Sequence, residues 1–201
     1  LVRAAQLSRE HGGPSFAPPQ RGTVGDFTGL CLLIDFSDAA ATISRDEVDD
    51  FCNQPGYSGF DNNGSVFDYY LANSLGKCRY RNVVTPYYRA AHPKTFYTDE
   101  TVADGRRARE LIAEALNHFK ANGFDFSSLT AASSGKIYAT NVFYAGPVVN
   151  SWSKGLWPHS WYLASPITLL PGKVANDYQV TALGSELDLG IEWAAQEGWN
   201  P

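Results

Sequence analysis

The feature that most constrains this fold is an unbroken apolar run, GLCLLIDF, at residues 29–36. The run is far shorter than the ~20 residues that a membrane-spanning helix needs. Successive side chains of an extended chain point to opposite faces, so both faces of this segment would be apolar. Such a strand belongs inside a sheet that is covered on both sides. The run therefore predicts a central strand of a layered α/β domain.

Helix signals follow this strand along the chain. Ser44 with Glu47, and Ser65 with Asp68, have the spacing of a capping box at a helix N-terminus. The longest helix is predicted over residues 101–122, where apolar residues recur at the spacing of one buried face. These apolar positions are Ala108, Leu111, Ile112, Ala115, Leu116 and Phe119.

The segments rich in β-forming residues are predicted to complete a mixed sheet. Residues 77–91 alternate apolar and polar side chains, which predicts a hairpin or a meander. Residues 136–146 predict another strand, and SWYLAS (160–165) and DYQVT (177–181) predict two shorter ones.

Composition excludes two broad classes of function. The chain has 201 residues, 44% of them hydrophobic, and a formal net charge of −5. Its lysines and arginines are scattered, so there is no basic field to attract nucleic acid. No apolar run is long enough to span a bilayer. We therefore expect neither a nucleic-acid partner nor a membrane span.

The N-terminal segment differs from the rest of the chain. Residues 1–25 hold three prolines and four glycines and show little periodicity, so we expect an extended arm or a propeptide remnant there. The compact domain is expected over residues 26–201. The sequence has no methionine and begins at Leu1, which predicts processing from a longer precursor, although a chain shortened for expression would look the same.

The three cysteines bear on the compartment in which the protein works. Cys31 lies in the apolar strand, where a buried free thiol is expected. Cys52 and Cys78 flank a glycine-rich segment and are predicted to close a disulfide loop of about 25 residues. Such a bridge would favour an oxidising compartment.

Most familiar catalytic motifs are absent from the sequence. It contains no phosphate-binding loop, no G-x-S-x-G, no C-x-x-C and no H-E-x-x-H. No two of the four histidines, His11, His92, His118 and His159, are close in sequence. A metal site would therefore have to be assembled from distant segments.

The stretch GLWPHSW contains the best candidate for a substrate groove. Trp157 and Trp161 flank His159, and aromatic side chains beside a histidine are typical of a groove wall. The same residues could simply cover a sheet edge, and this alternative stays open.

Two acidic stretches are candidates for calcium. DFSD carries Asp35 and Asp38, and FDNN carries Asp61. Their carboxylates are the hard oxygen ligands that calcium takes. Aspartate and asparagine are also the natural turn formers, so a purely local role is the alternative.

Several stretches together resemble the secreted bacterial zinc metallopeptidases of the immune inhibitor A type. They fall in the order of that family from about residue 23 to about residue 190. The stretches are GLCLLIDFSD, NNGSVFDYYLANSLGKCRYRNVVTPYY, YTDE, GRRARELIAEAL, FDFSSL, NVFYAGP, GLWPHSW and DYQVTALGSELDLG. The resemblance implies a zincin-like fold, a twisted mixed sheet with backing helices followed by an active-site helix that bears H-E-x-x-H. It also implies secretion, bound zinc and a peptide or protein substrate.

The sequence departs from this family where the metal site belongs. In the register set by GSELDLG, Ala194 and Gly198 occupy the positions of the two zinc-binding histidines, and Ala195 that of the catalytic glutamate. Alanine and glycine carry no donor atom, so the motif on this predicted helix cannot hold zinc. The domain is therefore expected to be cut short within the active-site helix.

Two functions follow, and they belong to different classes. The first is a domain of an extracellular zinc metalloendopeptidase, with this chain inactive for lack of its zinc ligands. The second is a non-catalytic module, derived from a peptidase, that binds peptides or proteins. An exposed aromatic edge that includes Trp157, Trp161 and the tail residues Trp193 and Trp199 is further expected to be covered by the tail or by self-association.

Overall fold

The computed structural model describes residues 24–102, 105–151 and 153–184 of the chain. A five-stranded mixed sheet forms the centre, with the spatial order β2-β1-β3-β5-β4. Four strands are parallel, and only β4 runs antiparallel to its neighbour β5. The strands are β1 (Gly25–Asp35), β2 (Cys78–Arg89), β3 (Thr140–Ala145), β4 (His159–Leu170) and β5 (Lys173–Leu183). The predicted α/β class with a mixed sheet is confirmed.

In the described part of the chain, four helices connect and cover the strands. They are α1 (Arg45–Asn53), α2 (Val66–Asn73), the single turn α3 (Lys94–Tyr97) and α4 (Arg106–Ala121), and a short 3-10 turn spans Gly59–Asp61. The capping box at the start of α2 is complete, because Ser65 and Asp68 each accept the other's backbone N–H. At α1 only the Ser44 half forms, since the Glu47 carboxylate accepts the Tyr57 hydroxyl instead.

Strand β1 is covered on both faces, as the apolar run predicted. Leu30, Leu32 and Ile34 point into the larger core. The intervening Cys31 and Leu33 point into a second core on the opposite face, and all five side chains are fully buried. The buried face of α4 packs in the larger core, and α1 packs in the second. Burial of apolar surface in both layers stabilises the sheet from either side.

Two predicted elements differ in the structure. Residues 78–89 form one long strand, β2, instead of a hairpin. It pairs in parallel with β1, so α1 and α2 form the crossover that a parallel connection requires. The long helix begins at Arg106 instead of residue 101, after Gly105 adopts the left-handed conformation with φ 64°.

Strand β4 is an edge strand, and its pairing is uneven. Residues 159–162 pair regularly with residues 177–180 of β5. The register then shifts before Ile167, so the intervening segment of β4, which contains Pro166, bulges away from β5. Only the first part of β4 therefore offers a regular outer edge.

The length and polarity of the helices agree with the prediction that the chain has no membrane span. Within the described ranges, every helix is too short or too polar to cross a lipid bilayer.

Candidate functional site

The three groove candidates from the sequence come together beside the edge strand. Trp157, His159 and Trp161 line one groove of about 580 Å³. The other side chains and backbone segments that line it belong to Gly105, Arg109, Ser153, Pro158, Ser160 and Tyr162. The groove lies between the start of β4 and the N-terminal turn of α4.

Two hydrogen bonds and a ring contact hold His159 in a single orientation beside this groove. Its Nδ1–H donates to the carbonyl oxygen of Trp157 at 2.6 Å, since a carbonyl can only accept. The other ring nitrogen, Nε2, then accepts the Tyr178 hydroxyl at 3.0 Å. The imidazole also stacks on the Trp157 indole, with 3.8 Å between the ring centroids. Both ring nitrogens are engaged, so His159 forms a wall of the groove.

The charge state of His159 follows from its surroundings. Burial lowers the pKa of the imidazole below its ordinary value of 6.5, and the positive charge of Arg109 lowers it further. The hydrogen bond to the Trp157 carbonyl opposes these effects. The ring is therefore neutral at pH 7, which suits contact with uncharged or apolar groups.

Two exposed aromatic rings form the rim of the groove. Trp161 and Tyr162 are 52% and 53% exposed, and their rings stack with centroids 5.2 Å apart. Large aromatic side chains left in water at a groove mouth are a common feature of binding surfaces. Tyr162 was missed in the sequence, although it directly follows Trp161 in a predicted strand.

Helix α4 supplies the charged side of the groove. The Nε–H of Arg109 donates to the carbonyl oxygen of Gly105 at 3.1 Å, which directs the side chain back along the first turn of the helix. A second depression, also of about 580 Å³, continues along β4 from Leu163 to Ile167 and shares Arg109 with the first. Together the two depressions follow the boundary between α4 and β4 from His159 to Ile167. Arg109 was missed because its partner strand lies some fifty residues later in the sequence.

A second polar cluster lies on the opposite face of the sheet. Tyr80 lies across β1 at Gly29, where its hydroxyl donates to Asn82 Oδ1 at 2.9 Å. Asn141 Nδ2 donates to the same tyrosine oxygen at 2.8 Å, and Gln179 Nε2 donates to Asn141 Oδ1. These hydrogen bonds tie β2, β3 and β5 together under a smaller cavity of about 370 Å³. Nothing in the sequence pattern predicted the cluster.

Two of the three calcium candidates bind groups of the protein that are remote in sequence. The Asp35 carboxylate accepts two hydrogen bonds from Arg89, both at 2.7 Å. Asp38 accepts the backbone N–H of Lys94 at 2.6 Å, at the start of α3. Asp61 ends the 3-10 turn with φ 58°. Among residues 24–102, 105–151 and 153–184, no three histidine, cysteine or acidic side chains gather in a metal-binding arrangement.

The other predicted site residues lie apart from the groove or outside the described chain. His92 stacks on Phe96 with centroids 4.2 Å apart, and His118 packs on Tyr88 near the end of α4. His11, Ala194, Ala195 and Gly198, with the tail residues Trp193 and Trp199, lie outside the described residues.

The predicted bridge between Cys52 and Cys78 is not present. All three cysteines are free and buried. Cys78 pairs with Gly25 at the start of β1, whereas Cys52 packs in the second core with Cys31. The prediction failed because a position in sequence does not reveal which end of a parallel sheet a residue occupies.

The sequence matches no protein-family model and no curated protein.

Proposed function

We propose that this chain is a secreted domain of zinc-metalloendopeptidase lineage that binds an extended peptide along β4 without hydrolysing it. The observation that carries the binding proposal is the groove that the start of β4 lines together with α4, in the part of this edge strand that pairs regularly with β5. The lineage and the secreted location rest on the resemblance of the quoted stretches to the immune inhibitor A type of peptidase.

An edge strand binds an extended peptide through its unpaired backbone groups. A peptide that pairs with residues 159–162 would extend the sheet by one strand, and its backbone hydrogen bonds would supply affinity. In the described part of the chain, no strand pairs with this outer edge of β4. The bulge around Pro166 limits regular pairing to a short segment, because a proline has no N–H and a bulge breaks the ladder.

The lining of the groove determines which peptide side chains bind best. Every second side chain of a bound strand would point toward the groove. There it would meet the stacked rings of Trp157 and His159, with Trp161 and Tyr162 at the rim. A neutral, aromatic wall favours apolar or aromatic side chains. We therefore expect the ligand to carry a large apolar residue at alternate positions.

The absence of hydrolysis follows from the sequence of the predicted active-site helix. A zinc peptidase needs metal ligands that lower the pKa of a bound water and a carboxylate that activates it. Ala194, Ala195 and Gly198 supply neither ligand nor base at the family positions. His159 does not replace them, because both of its ring nitrogens already have partners.

A capped pentapeptide with alternating alanine and phenylalanine tests the binding step. We expect calorimetric binding to the wild-type chain, and binding about tenfold weaker to the Trp161→Ala variant. Tyr69→Ala is the matched control, because Tyr69 is also exposed, at 64%, but lies on α2. Two further peptides carry N-methyl groups on alternate backbone nitrogens, one on the odd and one on the even positions. One of the two should lose binding, because its methyl groups replace the N–H groups that pair with β4. Two results would contradict binding along β4. One is equal affinity of the peptide for the Trp161→Ala variant and for the wild type. The other is that both N-methylated peptides bind as tightly as the unmethylated peptide.

Mass spectrometry of the same peptide tests the second step. After incubation with the chain and added zinc, the peptide should remain intact. Cleavage products that disappear with a chelator would show that the chain is an active peptidase.

A further inference from the structure

The smaller cavity at the second polar cluster is a site that peptide binding along β4 does not use. It has a volume of about 370 Å³, near the lower end of the ~300–1,000 Å³ that is typical of small-molecule sites. The cavity lies at the amino ends of β1, β2 and β3. Its size suits one small ring-shaped molecule.

A row of hydrogen-bonded polar side chains crosses the sheet at this cavity. Asn141 of β3 is level with Gln179 of β5, which is level with Ser160 of β4. Asn141 Nδ2 donates to the Tyr80 hydroxyl oxygen and to Asn82 Oδ1, both at 2.8 Å. Asn141 Oδ1 accepts the Gln179 side chain. These bonds fix the row before a ligand arrives, so little side-chain entropy is lost on binding.

Two members of this row keep hydrogen-bonding capacity toward a ligand. The side chains of Gln179 and Ser160 line the cavity, and both residues are exposed. A glutamine side chain has two N–H donors and an oxygen that accepts. Within the described residues, Gln179 uses one of these donors, to Asn141. The Ser160 hydroxyl both donates and accepts. A ligand with hydroxyl groups, which also donate and accept, matches this pair.

The charge of the lining favours a neutral ligand. Among the described residues that line the cavity, Asp177 has the only charged side chain, and Lys136 forms an ion pair with it. No lysine or arginine is among these lining residues. A phosphate or carboxylate ligand would therefore lose its hydration without meeting an opposite charge at the wall.

Aromatic rings form the remaining wall of the cavity. Tyr138 is 55% exposed, and its ring meets the ring of Phe27 edge-to-face with 5.2 Å between the centroids. Tyr70 packs on Tyr80 with centroids 4.9 Å apart. All four rings line the cavity. Aromatic rings pack well against the C–H groups of a ligand.

We propose that this cavity binds a neutral pyranose sugar. The sugar hydroxyls bond to Gln179 and Ser160, and a C–H face of the sugar ring packs on the aromatic wall at Tyr138. A β-glucoside suits this wall best, because its ring hydroxyls are all equatorial and both faces of its ring present C–H groups. The proposal does not depend on peptide binding or on the resemblance to a peptidase.

NMR titration of the isotope-labelled full chain with methyl β-D-glucopyranoside tests the proposal. We expect a dissociation constant on the order of 1 mM, as the small size of the ligand implies. The chemical-shift changes should be concentrated at residues 138–141 and 177–179. Cellobiose is titrated in parallel, because tighter binding of the disaccharide identifies a sugar chain as the source of the ring, and equal binding identifies a single sugar.

Variants assign the binding to this cavity. Gln179→Ala and Tyr138→Ala should each weaken binding of the glucoside at least fivefold. Tyr138→Phe should bind like the wild type, because it keeps the ring. Trp161→Ala is the matched control, since Trp161 is also an exposed aromatic residue but lines the other groove. Its affinity for the glucoside should be unchanged.

Either of two results would overturn the proposal. One is the absence of shift changes in the wild-type chain at tens of millimolar glucoside. The other is that Gln179→Ala and Tyr138→Ala, with amide spectra of folded protein, bind as tightly as the wild type. Binding that Trp161→Ala alone abolishes would give this second result and would place the sugar in the groove beside β4.

Discussion

At the scale of single residues, the candidate site depends on contacts between side chains that are remote in sequence. The flanking tryptophans identified His159 as a groove candidate, and the stacking of Trp157 on its ring is a local contact. The hydroxyl that fixes its second nitrogen belongs to Tyr178, on the neighbouring strand β5. The pairing of β4 with β5 places Tyr178 beside His159, and the sequence around His159 does not predict this pairing. The identity of the histidine was therefore predictable, while its neutral, doubly hydrogen-bonded state was not.

The lowered pKa of His159 predicts a loss of stability in mild acid. The folded chain resists protonation of this ring, whereas the unfolded chain binds a proton near the ordinary pKa of 6.5. The unfolded state therefore binds more protons, and the free energy of unfolding falls as pH drops below 6.5. The His159→Gln variant cannot titrate at this position. Chemical denaturation at pH 7.5 and pH 5.0 should show a larger loss for the wild type than for the variant, and equal losses would contradict the assignment.

A side chain at position 29 should clash with Tyr80 of the second polar cluster. A Cβ added at this position would lie 2.9 Å from Cζ of Tyr80, closer than real side-chain contacts allow, and nearer still to the hydroxyl oxygen. Tyr80 is held by Asn82 and Asn141, so it has little freedom to move. We expect Gly29→Ala to lower the free energy of unfolding by about 1–3 kcal/mol. The cost should be smaller in a Tyr80→Phe background, which lacks the closest atom, and a double-mutant cycle in urea measures the difference.

At the scale of elements, signals within a few residues predicted the helices well and the strand pairing poorly. The serine caps and the apolar periodicity located α1, α2 and α4 because those interactions join residues three or four apart. The alternation in residues 78–89 predicted extended chain but not its partner. A parallel pairing with β1 is made through a crossover of two helices, and such a long connection leaves no local mark.

The two helix caps should differ in strength. The Ser65 side chain accepts the Asp68 N–H, and the Asp68 carboxylate accepts the backbone N–H groups of both Ser65 and Gly56. At Ser44 the side chain accepts one N–H and is exposed. We expect Ser65→Ala to cost about 1–2 kcal/mol and Ser44→Ala about 0.5–1 kcal/mol. Urea midpoints at constant m-value will measure both, and a larger effect at Ser44 would contradict this ranking.

At the scale of the whole molecule, the groove exists only where two distant parts of the chain meet. Helix α4 lies before β3, and β4 lies after it, yet both border the same depression around Arg109. The sequence predicted the aromatic side of this groove from one short stretch. The charged side could not be predicted without the topology that places α4 against β4. Cover of the aromatic edge at Trp157 and Trp161 by the tail or by self-association stays a prediction.

Zinc content is the property that most directly tests the proposed peptidase lineage of this chain. The three histidines in the described residues lie apart and pack on aromatic rings. The predicted active-site helix has Ala194 and Gly198 where a zinc peptidase has histidines. We therefore expect elemental analysis after exhaustive dialysis to find well below one zinc per chain.

A matched variant shows whether the missing ligands alone explain a low zinc content. Combining Ala194→His, Ala195→Glu and Gly198→His restores the spacing of H-E-x-x-H, which places two imidazoles one helical turn apart. This variant should retain more zinc than the wild type under the same dialysis, since two donors replace two side chains that have none. The wild type and the variant should be measured side by side with the same zinc load. One tightly held zinc in the wild-type chain would contradict this prediction. It would show that ligands other than residues 194 and 198 bind the metal.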